Sequence, residues 1–339
     1  CDAARSGTGA CACAGGALIL RSMTQASDAK PRLEVLPRDL SAYRQGNVGV
    51  DYVHRFESGK PGPHVVINAL THGNEFCGMV AATDLLDRGV RPLIGTLTVS
   101  FANVAAYETF DAAQPFESRL LVHNFNRIWS SDWLDGAVDS PELRRARDMR
   151  PVMDAADHIL DIHSTSQDVE PFWVYPGFDR NASVALAIGM PSIHLVMPNG
   201  LGGSGPPLIQ YARFGQAGGN TGAAMVAECG QHFHQATADC AVQVTHGFLA
   251  HFGLVKPEPQ TTPKPIQRRF ELQHTHVIKT TEFAFTRPCI GFEVFAKGEL
   301  VATDGAEEVR APCDNCTILM PAREAIVGRE GVYLAKPLD

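Results

Sequence analysis

The sequence has no basic tract, no long apolar run and no second cysteine pair of the metal-binding kind, and each absence closes a class of function. The net charge is −8, from 29 Lys+Arg against 37 Asp+Glu. Without a cationic stripe, neither nucleic acid nor an anionic membrane surface is an expected partner. No apolar stretch reaches the roughly 18 residues that a membrane-spanning helix needs. The nine cysteines are an odd number and are scattered. Cys313 and Cys316 form a single CxxC, whereas a zinc ribbon needs two. Most of the cysteines read as reduced thiols of a cytoplasmic protein, with Cys77 and Cys229 as small packed residues. Ser204 stands in Gly202-Gly203-Ser204-Gly205-Pro206, which fails the GxSxG pattern of serine hydrolases at its last position. No phosphate loop or dinucleotide fingerprint occurs.

With 339 residues, 45% of them hydrophobic, the chain has room for about two domains and an ample core. Residues 1–30 are small-residue-rich and read as a disordered tail. From 31 to 255, strand-type and helix-type segments alternate. Val65–Leu70, Thr96–Phe101, Ile159–Ile162 and Met225–Ala227 read as strands. Phe76–Arg88, Arg144–Ala156 and Thr237–Phe252 have helical spacing. That alternation implies an α/β fold with a mainly parallel sheet and helices on both faces. Residues 256–265 are a Pro-rich linker. Beyond it, Thr275–Lys279, Glu282–Thr286, Gly291–Val294, Thr317–Met320 and Ala325–Val327 suggest a small all-β domain over 266–339. The stretches 112–139 and 199–220 are long and irregular, as functional loops often are.

The chemistry stands where the strands stop. His72 and Glu75 follow the first strand in Thr71-His72-Gly73-Asn74-Glu75, and His163 follows the third in Asp161-Ile162-His163-Ser164-Thr165. Asn103 follows the second strand and Glu228 the fourth. Open α/β sheets bind ligands outside the carboxyl ends of their strands. Four such ends therefore converge on one cleft. Two imidazoles and a carboxylate are the protein ligands of a catalytic zinc, one per chain, with the fourth position left for water. Asp161 is set back on the same strand face as His163 and suits an outer partner that orients that imidazole. A carboxylate at the end of an apolar strand has a raised pKa, so Glu228 is the candidate general base. The alternatives are bland ones: a Glu75 at a helix N-terminus, a core histidine, a carboxylate paired with an arginine.

Arg119, Asn124, Asn126 and Arg127 lie in Glu117-Ser118-Arg119-Leu120-Leu121-Val122-His123-Asn124-Phe125-Asn126-Arg127. One arginine there can clamp a carboxylate while another polarises a carbonyl; surface ion pairs are the other reading. His232/His234 and His274/His276 read as surface or packing residues.

These phrases, with Glu228-Cys229-Gly230, resemble the succinylglutamate desuccinylase/aspartoacylase family, which is related to zinc carboxypeptidases. Order and spacing agree over about residues 62–250, and the sequence from Gly291 resembles the family's β-rich C-terminal part. The resemblance implies a carboxypeptidase-like domain, one zinc, and hydrolysis of an N-acyl amino acid or related amide. It implies His72, Glu75 and His163 as ligands, Glu228 as base, Arg119 near the carbonyl, and Asn126 and Arg127 on the substrate carboxylate. Asn74 and Asn124 depart from the pattern, where many members have aspartate. Arg213 is only a candidate for the family's further substrate arginine, and Tyr333 is not assigned a role. The expected partner is a small molecule carrying a carboxylate, and a twofold homodimer is the usual assembly. A peptide-trimming metallocarboxypeptidase and a non-catalytic zinc or ligand binder remain as rival readings.

Overall fold

The computed structural model describes residues 31–198, 203–218, 222–259 and 263–338; the expected tail at 1–30 lies outside them. In chain order the elements are β1 (Val53–Glu57), β2 (His64–Ala69), α1 (Phe76–Asp87), β3 (Thr96–Phe101), α2 (Val104–Tyr107), α3 (Ser131–Leu134), α4 (Pro141–Asp154), β4 (His158–Thr165), β5 (Phe172–Pro176), α5 (Asp179–Ile188), β6 (Ile193–Met197), β7 (Ala224–Gln231) and α6 (Gln235–His251). Then come β8 (Arg268–Val277), β9 (Ala284–Phe285), β10 (Val294–Phe295), β11 (Leu300–Asp304), β12 (Glu307–Arg310), β13 (Cys316–Leu319) and β14 (Glu330–Pro337). Among the described residues, no helix is long and apolar enough to cross a membrane.

The fold is α/β. One 11-stranded sheet has the order β1-β3-β2-β4-β7-β5-β6-β8-β14-β13-β10, and a 3-stranded sheet has the order β12-β11-β9. β3, β2, β4 and β7 run parallel in the centre. Alternate residues of these strands feed two cores. Val65, Ile67, Leu160, Ile162, Met225 and Ala227 pack with α1, α5 and α6. Val66, Ile159, Ala224 and Val226 pack with α4 and the segments around Phe125 and Leu208. Burial on both faces is why these strands read as continuous apolar runs.

The C-terminal strands belong to the same large sheet. β8 pairs parallel with β6, and β14 pairs antiparallel with β8. The strand expected at Ala325–Val327 does not form. Ile326 and Val327 are exposed, and the chain turns at Gly328, where φ is +85°. The strand expected over Glu282–Thr286 shrinks to β9. β11, β12 and β14 were not expected.

Local chemistry sets the helix ends. α4 starts three residues before the expected Arg144, because Ser140 Oγ accepts from Leu143 N at 3.1 Å and Pro141 stands in the first turn, a strong start signal. Glu75 precedes α1 but makes no side-chain cap. Its carboxylate is used elsewhere.

Candidate functional site

Asp161, His163 and Glu228 share one sheet face, the face of Ile159 and Val226. His163 and Glu228 do not follow their strands, as expected, but lie inside them. They are direct register partners across β4 and β7. Pairing persists past both residues, and the register shifts only between His163 and Thr165. His72 and Glu75 arrive from the turn after β2, where Leu70 takes φ +57°. Gly73 lets that turn touch its neighbour: a Cβ there would lie 2.3 Å from Ser118 O. This close approach brings the Arg119 segment alongside, and Gly73 N donates to Arg119 O at 3.1 Å.

Glu75 bridges the two imidazoles. Its Oε1 is 2.8 Å from His72 Nδ1 and its Oε2 is 2.9 Å from His163 Nδ1. All three residues are buried, and one ligand atom from each lies within 4.8 Å of the others. The far nitrogens are already engaged. His163 Nε2 is 2.8 Å from Asp161 Oδ2, and His72 Nε2 is 2.9 Å from Asn124 Oδ1. Asp161 takes the His163 ring proton at Nε2, which leaves Nδ1 as a lone pair toward Glu75, whereas at His72 Nε2, Asn124 Oδ1 and an Arg119 N–H make opposite demands on the ring. A lone pair facing a carboxylate is satisfied by a proton or by a metal ion between them. The residues therefore fit a metal ion. The same demand appears in the titration of His163: burial opposes its charge, but Asp161 and Glu75 outweigh burial and hold its pKa well above the ordinary value. Burial, then Arg119, drops His72 to about 4.

The expectation for Asp161 holds. It is fully buried, and its other oxygen accepts from Asn68 Nδ2 at 2.9 Å and Thr71 Oγ1 at 2.6 Å. Ser100 Oγ supports Asn68 Oδ1 at 2.7 Å. The His163 ring is thus fixed by a chain that crosses three strands.

Glu228 is the opposite case. Its Oε2 is buried with no hydrogen-bond partner among the described residues. Burial pushes its carboxyl up to about 8, with the His163 charge opposing and Glu75 reinforcing. Arg119 Nη1 donates to Glu75 Oε1 at 3.0 Å, and its Nη2 lies 3.1 Å from His72 Nε2. His72, Glu75, Arg119, Asn124, Asn126, Arg127, His163 and Glu228 all line one cavity of about 290 Å³.

Asn103 is not brought to that cavity. It caps α2, its Oδ1 accepting from Ala106 N at 3.3 Å, because the chain turns into the helix directly after β3. Arg213 is also elsewhere, bonded to Ala156 O. The reading of His232 as a surface or packing residue is incomplete, for it is buried with Nδ1 2.8 Å from Ser164 Oγ and also lines the cavity.

Sequence reasoning missed Glu330 and gave Tyr333 no place. Both lie on β14 and reach the cleft. Arg127 Nε donates to Glu330 Oε1 at 2.7 Å and Nη2 to Tyr333 Oη at 2.9 Å. Burial raises the Glu330 carboxyl, yet Arg127 overrides it and brings it to about 2. The sequence signal for both is the β-type run Gly331-Val332-Tyr333-Leu334-Ala335.

Comparison with known proteins bears on the fold. Residues 61–197 match the model of the succinylglutamate desuccinylase/aspartoacylase catalytic domain. A search of curated proteins finds no match. Among solved structures, the succinylglutamate desuccinylase of Vibrio cholerae is 18% identical, with a TM-score of 0.64 over 85% of this chain and 86% of that one. The enzyme of Vibrio parahaemolyticus is 16% identical, with a TM-score of 0.61 over 85% and 87%. The product-bound ectoine utilization protein EutE (DoeB) of Ruegeria pomeroyi is 16% identical, with a TM-score of 0.60 over 85% and 88%. At these identities the likeness establishes the fold.

Proposed function

The chain carries a catalytic domain of the succinylglutamate desuccinylase/aspartoacylase family, and from that premise we propose that it is a zinc-dependent deacylase of a small N-acyl amino acid. The observation that carries this is Glu228: a buried carboxylate whose Oε2 has no donor among the described residues, in register with a histidine of the candidate metal site. His72, Glu75 and His163 would hold the zinc, which when bound would supply an activated water and a polarised carbonyl. Glu228, its carboxyl pushed by burial up to about 8, takes a proton from the attacking water. Oxygen adds to the acyl carbon, the C–N bond breaks, and Glu228 returns the proton to the leaving nitrogen. Arg119 keeps a second N–H on each Nη and can donate to the oxygen that becomes negative.

The substrate carboxylate is assigned to Asn126 and Arg127. Asn126 Oδ1 accepts from Leu208 N at 2.9 Å, so its NH2 is left for a ligand. The Arg127 fork is partly used by Glu330 and Tyr333, but each Nη retains a further N–H. A cavity of about 290 Å³ suits a small molecule better than a peptide, which favours a deacylase over a carboxypeptidase.

Two measurements test the proposal. Metal analysis should find one zinc per chain, and His163→Ala should lose most of it, since a three-ligand site has no spare; full occupancy in that variant sinks the assignment. N-acyl amino acids should be hydrolysed with release of free amine, and amidating the substrate carboxylate should slow the reaction sharply. Equal kcat/KM for acid and amide removes Arg127 and Asn126 from the binding role.

A further inference from the structure

The floor of the cleft beyond Glu228 is apolar. Val226 of β7 stands opposite Val174 of β5, and Val174 stands opposite Leu195 of β6. Side chains two apart on a strand share a face, so Val226 lies on the Glu228 face and Met197 extends the row from Leu195. Ile209 comes from a 3-10 turn over Leu208–Gln210, next to the Leu208 N that binds Asn126. Val174, Met197, Ile209 and Val226 all line the cavity.

Free charge is scarce beside this floor. Arg127 is paired with Glu330 at 2.7 Å, and its remaining N–H groups are assigned to the substrate α-carboxylate. Arg213, the candidate for a second carboxylate, is tied to Ala156 O and does not line the cavity. Arg323 sits over the Phe116 ring at 4.0 Å and pairs with Glu324 at 3.3 Å; it and Arg329 line the cavity with Phe116, Glu117 and Glu324. The undescribed residues of the Gly-rich stretch, 199–202 and 219–221, are Asn, Gly, Leu, Gly and Gly, Asn, Thr. None of them carries a charge.

We infer that the amino acid released by this enzyme has an apolar side chain, seated on Val174, Met197, Ile209 and Val226. The inference rests on the deacylase reading of the same cleft. The α-carboxylate and the side chain leave one carbon atom, so a carboxylate held at Asn126 puts the side chain within reach of Ile209 and Val226. An acidic side chain seated on these four apolar side chains would lose its water without gaining a hydrogen-bond partner from them. An aliphatic one buries apolar surface.

The test compares N-acetyl and N-succinyl derivatives of leucine, glycine and aspartate on the zinc-loaded enzyme. Leucine should exceed glycine in kcat/KM by about 10-fold or more, and aspartate by on the order of 100-fold. Met197 is only half-buried, so its variants should fold, as thermal melts would verify. Met197→Ala should bring leucine toward glycine. Met197→Arg should raise aspartate relative to leucine. Aspartate equal to or better than leucine overturns the inference. If no N-acyl amino acid of any kind is hydrolysed, the deacylase reading falls instead. Calorimetric binding of N-acetylleucine and N-acetylaspartate to Glu228→Gln then decides the subsite separately: tighter leucine binding upholds it, and equal or tighter aspartate binding overturns it.

Discussion

Two buried carboxylates, Glu228 on β7 and Asp304 at the end of β11, have opposite chemistry. Asp304 is 3% exposed and Glu228 is 9% exposed, so burial does not separate them. Donors do. Asp304 accepts from Lys279 N at 2.7 Å, Thr280 N at 2.8 Å and Thr280 Oγ1 at 2.6 Å, and lies 2.8 Å from His276 Nε2. Burial raises its pKa, but these contacts outweigh burial and lower it from 3.8 to about 2. Glu228 Oε2 has no such partner, and burial takes that carboxyl up to about 8. One group is locked as an anion that holds loops together. The other can carry a proton at neutral pH. Burial raises both carboxyls, and the donors decide whether that rise survives.

Substitution sharpens the contrast. Glu228→Gln keeps shape and removes the proton acceptor, so turnover should fall by on the order of 10²-fold or more while bound zinc and thermal stability persist. An active Gln variant would place the base elsewhere. Asp161→Asn probes a satisfied carboxylate that serves the site through His163. Zinc affinity should weaken by roughly 10–100-fold, measured by chelator competition, and an unchanged affinity would reduce Asp161 to a packing role. Asp304→Ala should leave kcat and KM alone and cost about 1–3 kcal/mol of stability through its abandoned donors. The Asp304 effect also has a pH signature. Its folded pKa is depressed, so the folded state holds fewer protons than the unfolded state between 3.8 and about 2. The stabilisation is therefore complete above that window and is lost as pH falls through it. Denaturant midpoints of the wild type should drop more steeply than those of Asp304→Asn across that range; parallel curves would break the comparison.

The reactive half of this contrast was the legible half. Strand-type runs ending near His72, His163 and Glu228 pointed to the cleft, because a central parallel strand is apolar throughout and any polar residue on it stands out. Asp161 was legible for the same reason. Asn103 followed the same logic and failed, since a residue after a strand can equally cap the next helix. Glu330 and Tyr333 were hidden by distance in sequence: Arg127 meets them 203 and 206 positions away, and no local period encodes that meeting. The short strands β9 and β10 span two residues each, too few for an alternation to register.

The parallel pairing of β6 with β8 has a consequence for the chain as a polymer. A protein cut within the Pro-rich segment at 256–265 would keep His72, Glu75, His163 and Glu228, yet β6 would present a bare row of amides and carbonyls along Ile193-His194-Leu195-Val196-Met197. Such an apolar, unprotected edge is a template for a second molecule. The C-terminal strands therefore act as a terminator of sheet growth, and proteolysis in that segment would release a fragment prone to stack on its own kind.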